Sequence, residues 1–432
     1  MKTSIYNFCF EHNNGVYVYN TLTTALLKIT HEAKTYLTNG NLSNADDNTI
    51  SALKQAGIIV EDDLDELAAY RYFYNSMQYS EVHEELKIVV VPTYSCNLKC
   101  FYCFEECGHL GSKIDEDKVS QILRFVEHQL QIHHSYKKLS LILFGGEPLI
   151  CKKQCIEFCQ KLSTLLATRA ISFAPKIITN ATLLDDEVIS KLIIPYNMGI
   201  QVTLDGIEEQ HNQRKLYKSG EGSYLHIVQA IELLNQYGCK NNIDLRLNID
   251  KDNIDCIEPI FDAFHDKVKI IYIGLLRPYG NNSCHTDACI SENDFQINYR
   301  TQVLPILKKY GMANNTLNVG KQHPCGMNRK NTFVIDPFLD VYKCENFLGD
   351  KSHAIGHISD GQLQTYPEYY KQVAWTPFND KCNKCALLPA CAGSCPHLCF
   401  MENGDMNKPL CNMSKKQLIM KLCNYIDDLS NG

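Results

Sequence analysis

Three cysteines are the residues in this chain whose type and spacing point most directly to chemistry. Cys96, Cys100 and Cys103 follow a C-x3-C-x2-C pattern, and Tyr102 directly precedes the third cysteine. A short loop of this kind can wrap three thiolates around one [4Fe–4S] cluster, which leaves one of its irons open to a ligand from outside the protein. A structural zinc knuckle is the alternative, but zinc takes four ligands and usually C-x2-C pairs. The pattern favours a cluster with one reactive iron.

A second group of cysteines lies towards the end of the chain. Its members are Cys325, Cys344, Cys382, Cys385, Cys391, Cys395 and Cys411. The chain has 21 cysteines in all. A large cytosolic protein keeps its thiols reduced, so clustered cysteines indicate metal rather than disulfides. The spacing of these cysteines is compatible with iron–sulfur clusters and also with a pair of zinc sites.

Composition excludes several classes of protein. The chain of 432 residues has room for two or three domains, and its net charge of −7 comes with no basic run that would favour nucleic acid. No apolar stretch is long enough to cross a membrane, and the N-terminus lacks the apolar core of a signal peptide. We therefore expect a cytoplasmic protein with neither a nucleic-acid nor a membrane partner.

The elements that must position the cysteine loop form a regular β/α rhythm. The expected strands are Leu86–Pro92, Leu139–Phe144, Lys176–Thr179, Ile200–Leu204, Ile243–Asn248 and Val268–Leu275. Helical patterns fall between them, at Asp117–Gln131, Leu149–Leu166, Asp185–Ile193, Tyr224–Tyr237 and Ile257–Phe264. Six such units predict an α/β fold with a parallel sheet, closed or partly closed.

Polar residues recur where these strands end. They are Cys96, Glu147, Asn180, Asp205, Asn248 and Arg277. In β/α barrels the carboxyl ends of the strands form the rim on which the chemistry lies. The sequence therefore predicts one site at this rim.

The first 80 residues predict a separate small module. Asn13-Asn14-Gly15 between two aromatic-rich runs, Tyr6–His12 and Val16–Tyr19, is typical of a β-hairpin. Three helices, at Thr21–Leu37, Asp47–Gln55 and Asp62–Met77, and a short strand at Gly57–Val60 complete a winged-helix-like pattern. A generic cap on the catalytic domain is the alternative.

With Phe144-Gly145-Gly146-Glu147-Pro148 one β/α unit after the cysteines, the chain resembles the radical S-adenosylmethionine (SAM) enzymes. The resemblance implies a partial (β/α)6 barrel, with SAM on the open iron. It implies that the Gly-Gly-Glu-Pro turn binds the SAM amino group and that Arg214 lies near the SAM carboxylate. The residues it implies for SAM binding are Tyr102, Gly145, Gly146, Glu147, Pro148, Asn180, Thr203, Asp205, Arg214 and Asn248.

The C-terminal cysteines, with Ala392-Gly393-Ser394-Cys395-Pro396, resemble the SPASM domain, which carries two auxiliary [4Fe–4S] clusters. The resemblance implies three clusters in all. It assigns one auxiliary cluster to Cys382, Cys385, Cys391 and Cys411, and the other to Cys325, Cys344 and Cys395. The fourth position of the latter is either Cys399 or an open iron near the substrate. Leu339 stands where the family usually has glycine.

The resemblance also implies an activity. The N-terminal module is similar to the recognition element of enzymes that modify ribosomally made peptides, in which a leader peptide adds a strand to a sheet edge. We expect residues 1–80 to form this module, 81–280 the barrel and 281–432 the SPASM domain. The expected enzyme abstracts hydrogen with a 5′-deoxyadenosyl radical and installs a thioether or carbon–carbon crosslink in a small precursor peptide. Its electron donor would be a flavodoxin or ferredoxin.

Two other functions stay open. An anaerobic sulfatase-maturing enzyme uses the same barrel and clusters to make formylglycine, and that family tends to have Asp after the second SPASM cysteine. Glu345 occupies this position and is the one candidate for a catalytic base. A non-catalytic iron–sulfur electron carrier is the alternative from another class.

Overall fold

The computed structural model describes residues 1–40, 45–103, 112–276, 289–290, 294, 297–312, 320, 323–411 and 413–430. Arg277, predicted at the rim, lies outside them. The chain divides into two compact units. The first comprises residues 1–80, 314–329 and 374–432, and the second comprises residues 81–313 and 330–373.

The first unit begins with two small sheets and three helices. The elements are β1 (Lys2–Thr3), β2 (Asn7–His12), β3 (Gly15–Asn20), β4 (Leu26–Ile29), α1 (His31–Asn39), α2 (Asp47–Gln55), β5 (Ile59–Val60) and α3 (Glu66–Gln78). Strands β2, β3 and β4 form an antiparallel sheet, and β1 pairs with β5. Asn13 and Asn14 have φ of 46° and 57°, the left-handed conformation that a two-residue hairpin turn requires. The structure thus contains the hairpin expected there, while the winged-helix-like description stays a prediction.

The single helix expected over Thr21–Leu37 is wrong. Its middle is strand β4, in which Leu26 pairs with Tyr19 and Ile29 pairs with Val16. Helix α1 begins only after Thr30, whose side chain accepts a hydrogen bond from the backbone N–H of Ala33. The apolar residues of this segment fit both the helical repeat and the strand repeat. The pairing with β3 and the cap at Thr30 therefore decide where the strand ends and the helix begins.

The second unit is built on parallel strands alternating with helices, as expected. Its strands are β6 (Glu85–Val90), β7 (Leu98–Cys100), β8 (Lys138–Leu143), β9 (Ser172–Thr179), β10 (Gly199–Leu204), β11 (Lys215–Tyr217), β12 (Ile243–Ile249) and β13 (Ile270–Leu275). Its helices are α4 (Glu116–Ile132), α5 (Lys152–Ala167), α6 (Asp186–Val188), α7 (Glu208–Arg214), α8 (Tyr224–Gln236), α9 (Ile257–Phe264) and α10 (Leu304–Lys309). Strands β6, β8, β9, β10, β12 and β13 are neighbours in that order and all parallel, while β7 and β11 form a separate antiparallel pair.

One apolar core lies between the parallel sheet and its helices. Cys151, Cys155 and Cys159 are 3%, 0% and 0% exposed, and the last two belong to this core on α5. These three thiols form a buried stripe of small residues, as their four-residue spacing predicts.

Four further strands extend the parallel sheet beyond β6. They are β14 (Thr332–Ile335), β15 (Asp340–Tyr342), β16 (Gly356–Ser359) and β17 (Gln362–Thr365), followed by α11 (Pro367–Val373). Strand β14 is parallel to β6, and the others follow in antiparallel order. These residues therefore group with the β/α strands rather than with the last part of the chain, so the contacts do not follow the expected boundary at residue 280. The division into three consecutive domains stays a prediction.

The turn between β14 and β15 contains Leu339, the departure from the family's glycine. Leu339 has a φ of 67° and is buried, so a branched side chain adopts the left-handed backbone that glycine favours. Asp336 holds the turn because its carboxylate accepts hydrogen bonds from the backbone N–H groups of Phe338 and Asp340.

The end of the chain packs against the N-terminal elements within the first unit. Its helices are α12 (Leu388–Cys391), α13 (Pro396–Asn403) and α14 (Lys415–Ser430). Phe8 and Tyr19 share an apolar cluster with Leu418 and Leu422 of α14. In the part of the chain that the structure describes, no helix combines the length and the apolar composition needed to cross a bilayer.

Candidate cofactor and substrate site

A cavity of about 430 Å³ lies in the second unit, where the strands of the parallel sheet meet the cysteine loop. Cys96, Cys100 and Cys103 line it together. Its other walls come from the strands and the turns that follow them. They include Val89, Ile142, Gly145, Gly146, Ile178, Asn180, Gln201, Thr203, Arg246 and Asn248. The three cysteines thus lie at the rim that the sequence predicts.

The cysteine loop is fastened to the Gly-Gly-Glu-Pro turn by main-chain hydrogen bonds. Gly146 N–H donates to the carbonyl of Thr93 at 3.1 Å, and Glu147 N–H donates to that of Ser95 at 2.9 Å. A Cβ on Gly146 would lie 2.4 Å from the Ser95 carbonyl oxygen, and one on Gly145, whose φ is 123°, would lie 2.7 Å from the Thr93 oxygen. The two glycines are required because the loop approaches so closely.

Glu147 braces the turn from behind. Its fully buried carboxylate accepts hydrogen bonds from Thr179 Oγ1 at 2.7 Å, from Asn180 N–H at 2.8 Å and from Leu149 N–H at 3.0 Å. Burial raises the pKa of this carboxyl, although the three donors oppose the shift. Glu147 and the buried Pro148 are not among the cavity residues, whereas Gly145 and Gly146 are.

The donor set suits an iron–sulfur cluster. Cys96 Sγ accepts from Leu98 N–H at 3.4 Å and from Asn180 Nδ2 at 3.7 Å, and such contacts stabilise a thiolate. Burial raises the pKa of Cys100 to about 12, a shift that Lys215 opposes and that iron coordination overcomes. Among the described residues, no three His, Cys, Asp or Glu side chains are placed to hold a single metal ion. Three thiolates from one short loop are a donor set that a [4Fe–4S] cluster accepts, with each thiolate on a different iron.

Tyr102 is anchored inside the cavity wall. Its hydroxyl donates to Asp205 Oδ2 at 2.6 Å and accepts from Asn248 Nδ2 at 3.0 Å. Burial, with Asp205 beside it, raises the pKa of Tyr102 well above its usual range, so the hydroxyl remains a donor. Tyr102 and Asn248 line the cavity with Asn180 and Thr203, while Asp205 is fully buried behind Tyr102.

Of the neighbouring cations Arg214 and Lys215, Lys215 lines the cavity and Arg214 does not. Arg214 is buried away from the cavity: its Nη2 donates to Asp250 Oδ2 at 2.5 Å, and its guanidinium lies 4.7 Å from the centre of the Phe101 ring. Lys215 pairs with Cys100 where β11 meets β7. Its ammonium donates to the carbonyl of Thr203 at 3.4 Å and lies 3.9 Å from Asp205 Oδ1.

Sequence reasoning missed five polar residues of the cavity, namely Thr179, Gln201, Lys215, Arg246 and Asn346. Period-2 alternation could have found two of them, since Gln201 precedes Thr203 and Arg246 precedes Asn248 by two residues on their strands. Lys215 carries no such signal, because only the pairing of β11 with β7 brings it to Cys100. Glu345, the candidate base, lines the same cavity beside Asn346.

The C-terminal cysteines lie in both units. A hydrogen bond with the Cys411 thiol raises the pKa of Lys381, and the charges of Cys382 and Cys385 contribute less, so the three thiols lie near one ammonium in the first unit. Burial is the main cause that raises the pKa of Cys391 to about 11. The charges of Cys382 and Cys385 also raise it, so Cys391 lies near these two thiols. The remaining members are Cys325 and Cys395 in the first unit and Cys344 in the second.

Cys399 lies one helical turn after Cys395. Its backbone N–H donates to the Cys395 carbonyl at 2.9 Å, and its thiol is fully buried with Sγ 3.9 Å from the carbonyl oxygen of Gly393. Cys395 is the N-cap residue of α13 and has an extended backbone, so Cys399 lies one turn along the helix that Cys395 opens.

Comparison with known proteins identifies the family of the central part of the chain. The model of the radical SAM superfamily matches residues 90–264. A cysteine-type anaerobic sulfatase-maturating enzyme from Clostridium perfringens is 23% identical over 347 residues, which are 72% of this chain and 88% of the relative. The radical SAM cyclopropyl synthase TigE from Paramaledivibacter caminithermalis is 22% identical over 451 residues, covering 95% of this chain and 90% of TigE.

Solved structures share the fold at similarly low identity. Native anSMEcpe with bound AdoMet and Cp18Cys peptide has a TM-score of 0.62 at 18% identity, over 80% of this chain and 99% of that one. SuiB from Streptococcus suis, bound to precursor peptide SuiA, has a TM-score of 0.51 at 15% identity, over 93% and 97% of the two chains. The matched residues 90–264 include the cysteine loop and the Gly145–Gly146 turn, so the part of this chain that forms most of the cavity is similar to the radical SAM superfamily.

Proposed function

We propose that this enzyme is a peptide maturase that installs a thioether or carbon–carbon crosslink in a ribosomally made precursor peptide. The match of residues 90–264 to the radical SAM superfamily supports an enzyme of SAM-dependent radical chemistry. The observation that carries the proposal is that Cys96, Cys100 and Cys103 line one cavity with the turn at Gly145 and Gly146. When bound, the reduced cluster and SAM supply a 5′-deoxyadenosyl radical that abstracts hydrogen from an unactivated carbon.

The residues around the cavity would orient SAM beside the open iron. We assign the carboxylate of SAM to Lys215, since Arg214 is already paired with Asp250. The main chain at Gly145 and Gly146 would receive the amino group. Asn180, Thr203, Asn248 and Tyr102 would contact the remainder, with Glu147, Pro148 and Asp205 holding them in place.

A peptide partner is favoured because SuiB, whose structure contains a bound precursor peptide, matches nearly the whole of this chain. TigE and SuiB match 95% and 93% of it, so those matches must include most of residues 1–80. The leader of the precursor would add a strand to the sheet of β2, β3 and β4.

The outer edge of β4 is the better position for the leader. Among the described strands, β4 has β3 as its one neighbour. The other outer strand, β2, is held at both ends, where Asn7 Nδ2 donates to the Ile58 carbonyl at 2.7 Å and His12 Nε2 lies 2.6 Å from Asp427 Oδ1.

Two auxiliary clusters would remove an electron from the substrate radical and pass it on, giving a net oxidation. We assign one to Cys382, Cys385, Cys391 and Cys411, and the other to Cys325, Cys344 and Cys395. A flavodoxin or ferredoxin would reduce the first cluster.

The second candidate is formation of formylglycine in a sulfatase. It is favoured by the relative from Clostridium perfringens and by the place of Glu345 in the cavity, where a carboxylate could accept a proton from the substrate. That relative matches 72% of this chain against 95% for TigE, so it shares less of the chain's organisation.

Anaerobic incubation with SAM, a reductant and candidate peptides separates these functions. The peptides are those encoded next to the enzyme's gene and, as the second arm, a sulfatase-derived cysteine peptide. A maturase releases 5′-deoxyadenosine and yields a peptide that has lost two hydrogens and contains no aldehyde. An aldehyde in place of the cysteine thiol would establish the sulfatase-maturing activity instead. Absence of 5′-deoxyadenosine would favour the non-catalytic electron carrier.

A further inference from the structure

The guanidinium of Arg246 lies in the cavity, and neighbouring residues hold it in place. Its side chain projects from β12 into the cavity, two residues before Asn248. Asn248 Oδ1 accepts from Arg246 Nε at 2.8 Å, which fixes the plane of the guanidinium. On the neighbouring strand β13, Gly274 lies opposite Asn248, and a Cβ there would lie 2.7 Å from Arg246 Nε and 2.8 Å from its Nη2. The absence of a side chain on Gly274 makes room for the guanidinium.

Among the described residues, the cavity wall includes the carboxylate of Glu345, and no ion pair joins it to Arg246. Lys215 has the buried Asp205 beside it, and Arg214 has Asp250. Within the described ranges, no ion pair joins Arg246 to an acidic side chain. Its guanidinium instead donates a hydrogen bond to Asn248 and lies near the Tyr272 ring. Partial burial of a guanidinium costs free energy unless hydrogen bonds or an anion compensate for the lost water.

We propose that Arg246 binds a carboxylate of the peptide substrate. The group would be an acidic side chain next to the reacting residue or the peptide's C-terminal carboxylate. Since Asn248 occupies Nε, the terminal nitrogens of the guanidinium are the donors that remain to face such a group. The inference rests on the proposed function, because it takes the same cavity as the site of the peptide, and it adds a chemical class of substrate.

The network around Arg246 links substrate recognition to the cysteine loop. Asn248 connects Arg246 to Tyr102 by hydrogen bonds of 2.8 and 3.0 Å, and Tyr102 lies between Cys100 and Cys103 in the sequence. A carboxylate bound at Arg246 would therefore be linked to the cysteine loop through two side chains, those of Arg246 and Asn248. This places the substrate's anionic group close to the point where hydrogen is abstracted.

Chemical labelling of arginine tests this proposal in the full-length, anaerobically reconstituted enzyme. The rate of phenylglyoxal modification at Arg246 is followed by mass spectrometry, with the exposed Arg71 as internal reference. The probes are acetyl-Gly-Cys-Glu-Gly-amide, its Gln counterpart, and acetyl-Gly-Cys-Gln-Gly with a free C-terminal carboxylate. Each is added with and without SAM.

We expect one carboxylate probe to slow labelling of Arg246 about tenfold relative to the neutral Gln probe, the scale of a charge-assisted hydrogen bond. Whichever carboxylate probe protects identifies the source of the group. In Arg246→Gln, equilibrium dialysis of the same probes should show no preference for the acidic one, while affinity for SAM stays within about twofold. The matched control is Arg169→Gln, which removes the ion pair between Arg169 and Glu127 of α4. This variant should keep the preference for the acidic probe.

Protection of Arg246 by SAM alone would assign it to the SAM carboxylate and overturn the proposal. Slow labelling without any ligand would mean that the protein itself supplies the anion, which also overturns it. Equal labelling with all three probes while SAM still binds would refute the inference and leave the proposed function intact. Failure of the enzyme to bind SAM would instead refute the proposed function, and the probe preference of the unloaded protein would still decide the role of Arg246.

Discussion

Single atoms decide whether the cysteine loop can reach its position. Gly146 is the clearest case, because a Cβ there would meet main-chain oxygens of both Ser95 and Tyr94, at 2.4 and 2.6 Å. Backbone cannot move aside as a flexible side chain can. The loop and the turn must therefore separate if Gly146 is replaced, and the thiols would move with the loop.

We expect Gly146→Ala to lower the free energy of unfolding by about 1–3 kcal/mol, the usual cost of overpacking, and to reduce iron bound by the loop. Gly199→Ala is the matched control, since its Cβ would make an ordinary contact of 3.7 Å with Lys176. Thermal unfolding and iron analysis measure the two effects. Equal stability and iron content in the two variants would contradict the close-approach argument.

Lys215 is the residue we assign to the SAM carboxylate, and we expect the affinity for SAM to depend on whether its substitute keeps the positive charge. Lys215→Gln should weaken SAM binding by at least about tenfold, because a charge-assisted hydrogen bond is lost. Lys215→Arg should restore much of the affinity, since the charge returns. The control is Lys176→Gln, which removes an ion pair with Asp244 elsewhere on the sheet.

Equilibrium dialysis with reconstituted enzyme measures the affinity, and iron content confirms that the cluster is present. Lys215→Gln also leaves the buried Asp205 without its nearest ammonium, so unfolding is measured in parallel. Unchanged SAM affinity in Lys215→Gln would return the carboxylate to Arg214 or to Arg246.

At the scale of elements, β4 offers a defined edge. Asn20 N–H donates to the Ala25 carbonyl at 3.0 Å, and the register continues with Tyr17 opposite Lys28. Hydrogen-bonded and non-bonded pairs alternate in an antiparallel sheet. The main-chain groups of Lys28 therefore point away from β3, towards the side on which a leader strand would add.

Lys28→Pro should weaken binding of the leader peptide at least about tenfold, because proline removes the outward N–H and is tolerated on an edge strand. Lys28→Ala keeps that N–H and removes only the exposed side chain, so it should bind as the unaltered enzyme does. Fluorescence anisotropy of a labelled leader peptide measures both. If Lys28→Pro binds the leader normally, the strand is added elsewhere or not at all.

Sequence periodicity predicts most of these elements because local propensity and burial agree in them. The six parallel strands and the five helices between them lie within a few residues of their expected positions. It fails where partners distant in the chain decide: β4 forms because β3 is beside it, and β14 joins the sheet through β6. The same limit applies to the site, since Cys96 and Gly146 could be placed by motif but Lys215 could not.

At the scale of the whole molecule, the number of clusters is the property that separates the proposals. Ten cysteines are assigned to three clusters, whereas Cys151, Cys155 and Cys159 form a buried stripe in the apolar core. Both sets contain thiols at short spacing. Burial against leucines and phenylalanines on one helix gives the stripe no position for iron, so it serves as the control for the cysteine loop.

Anaerobic reconstitution should yield about twelve irons and as many sulfides per chain, from three clusters of four. Replacing Cys96, Cys100 and Cys103 together with Ala should lower the count to about eight and abolish release of 5′-deoxyadenosine, because the auxiliary clusters do not contact SAM. Replacing Cys151, Cys155 and Cys159 with Ala should leave about twelve irons, since none of them is a ligand. Cys399→Ala then tests the remaining ligand position: loss of one cluster would make Cys399 its fourth ligand, and an unchanged count would leave that iron open to a substrate thiolate. A count near four in the unaltered enzyme would remove both auxiliary clusters from the proposal.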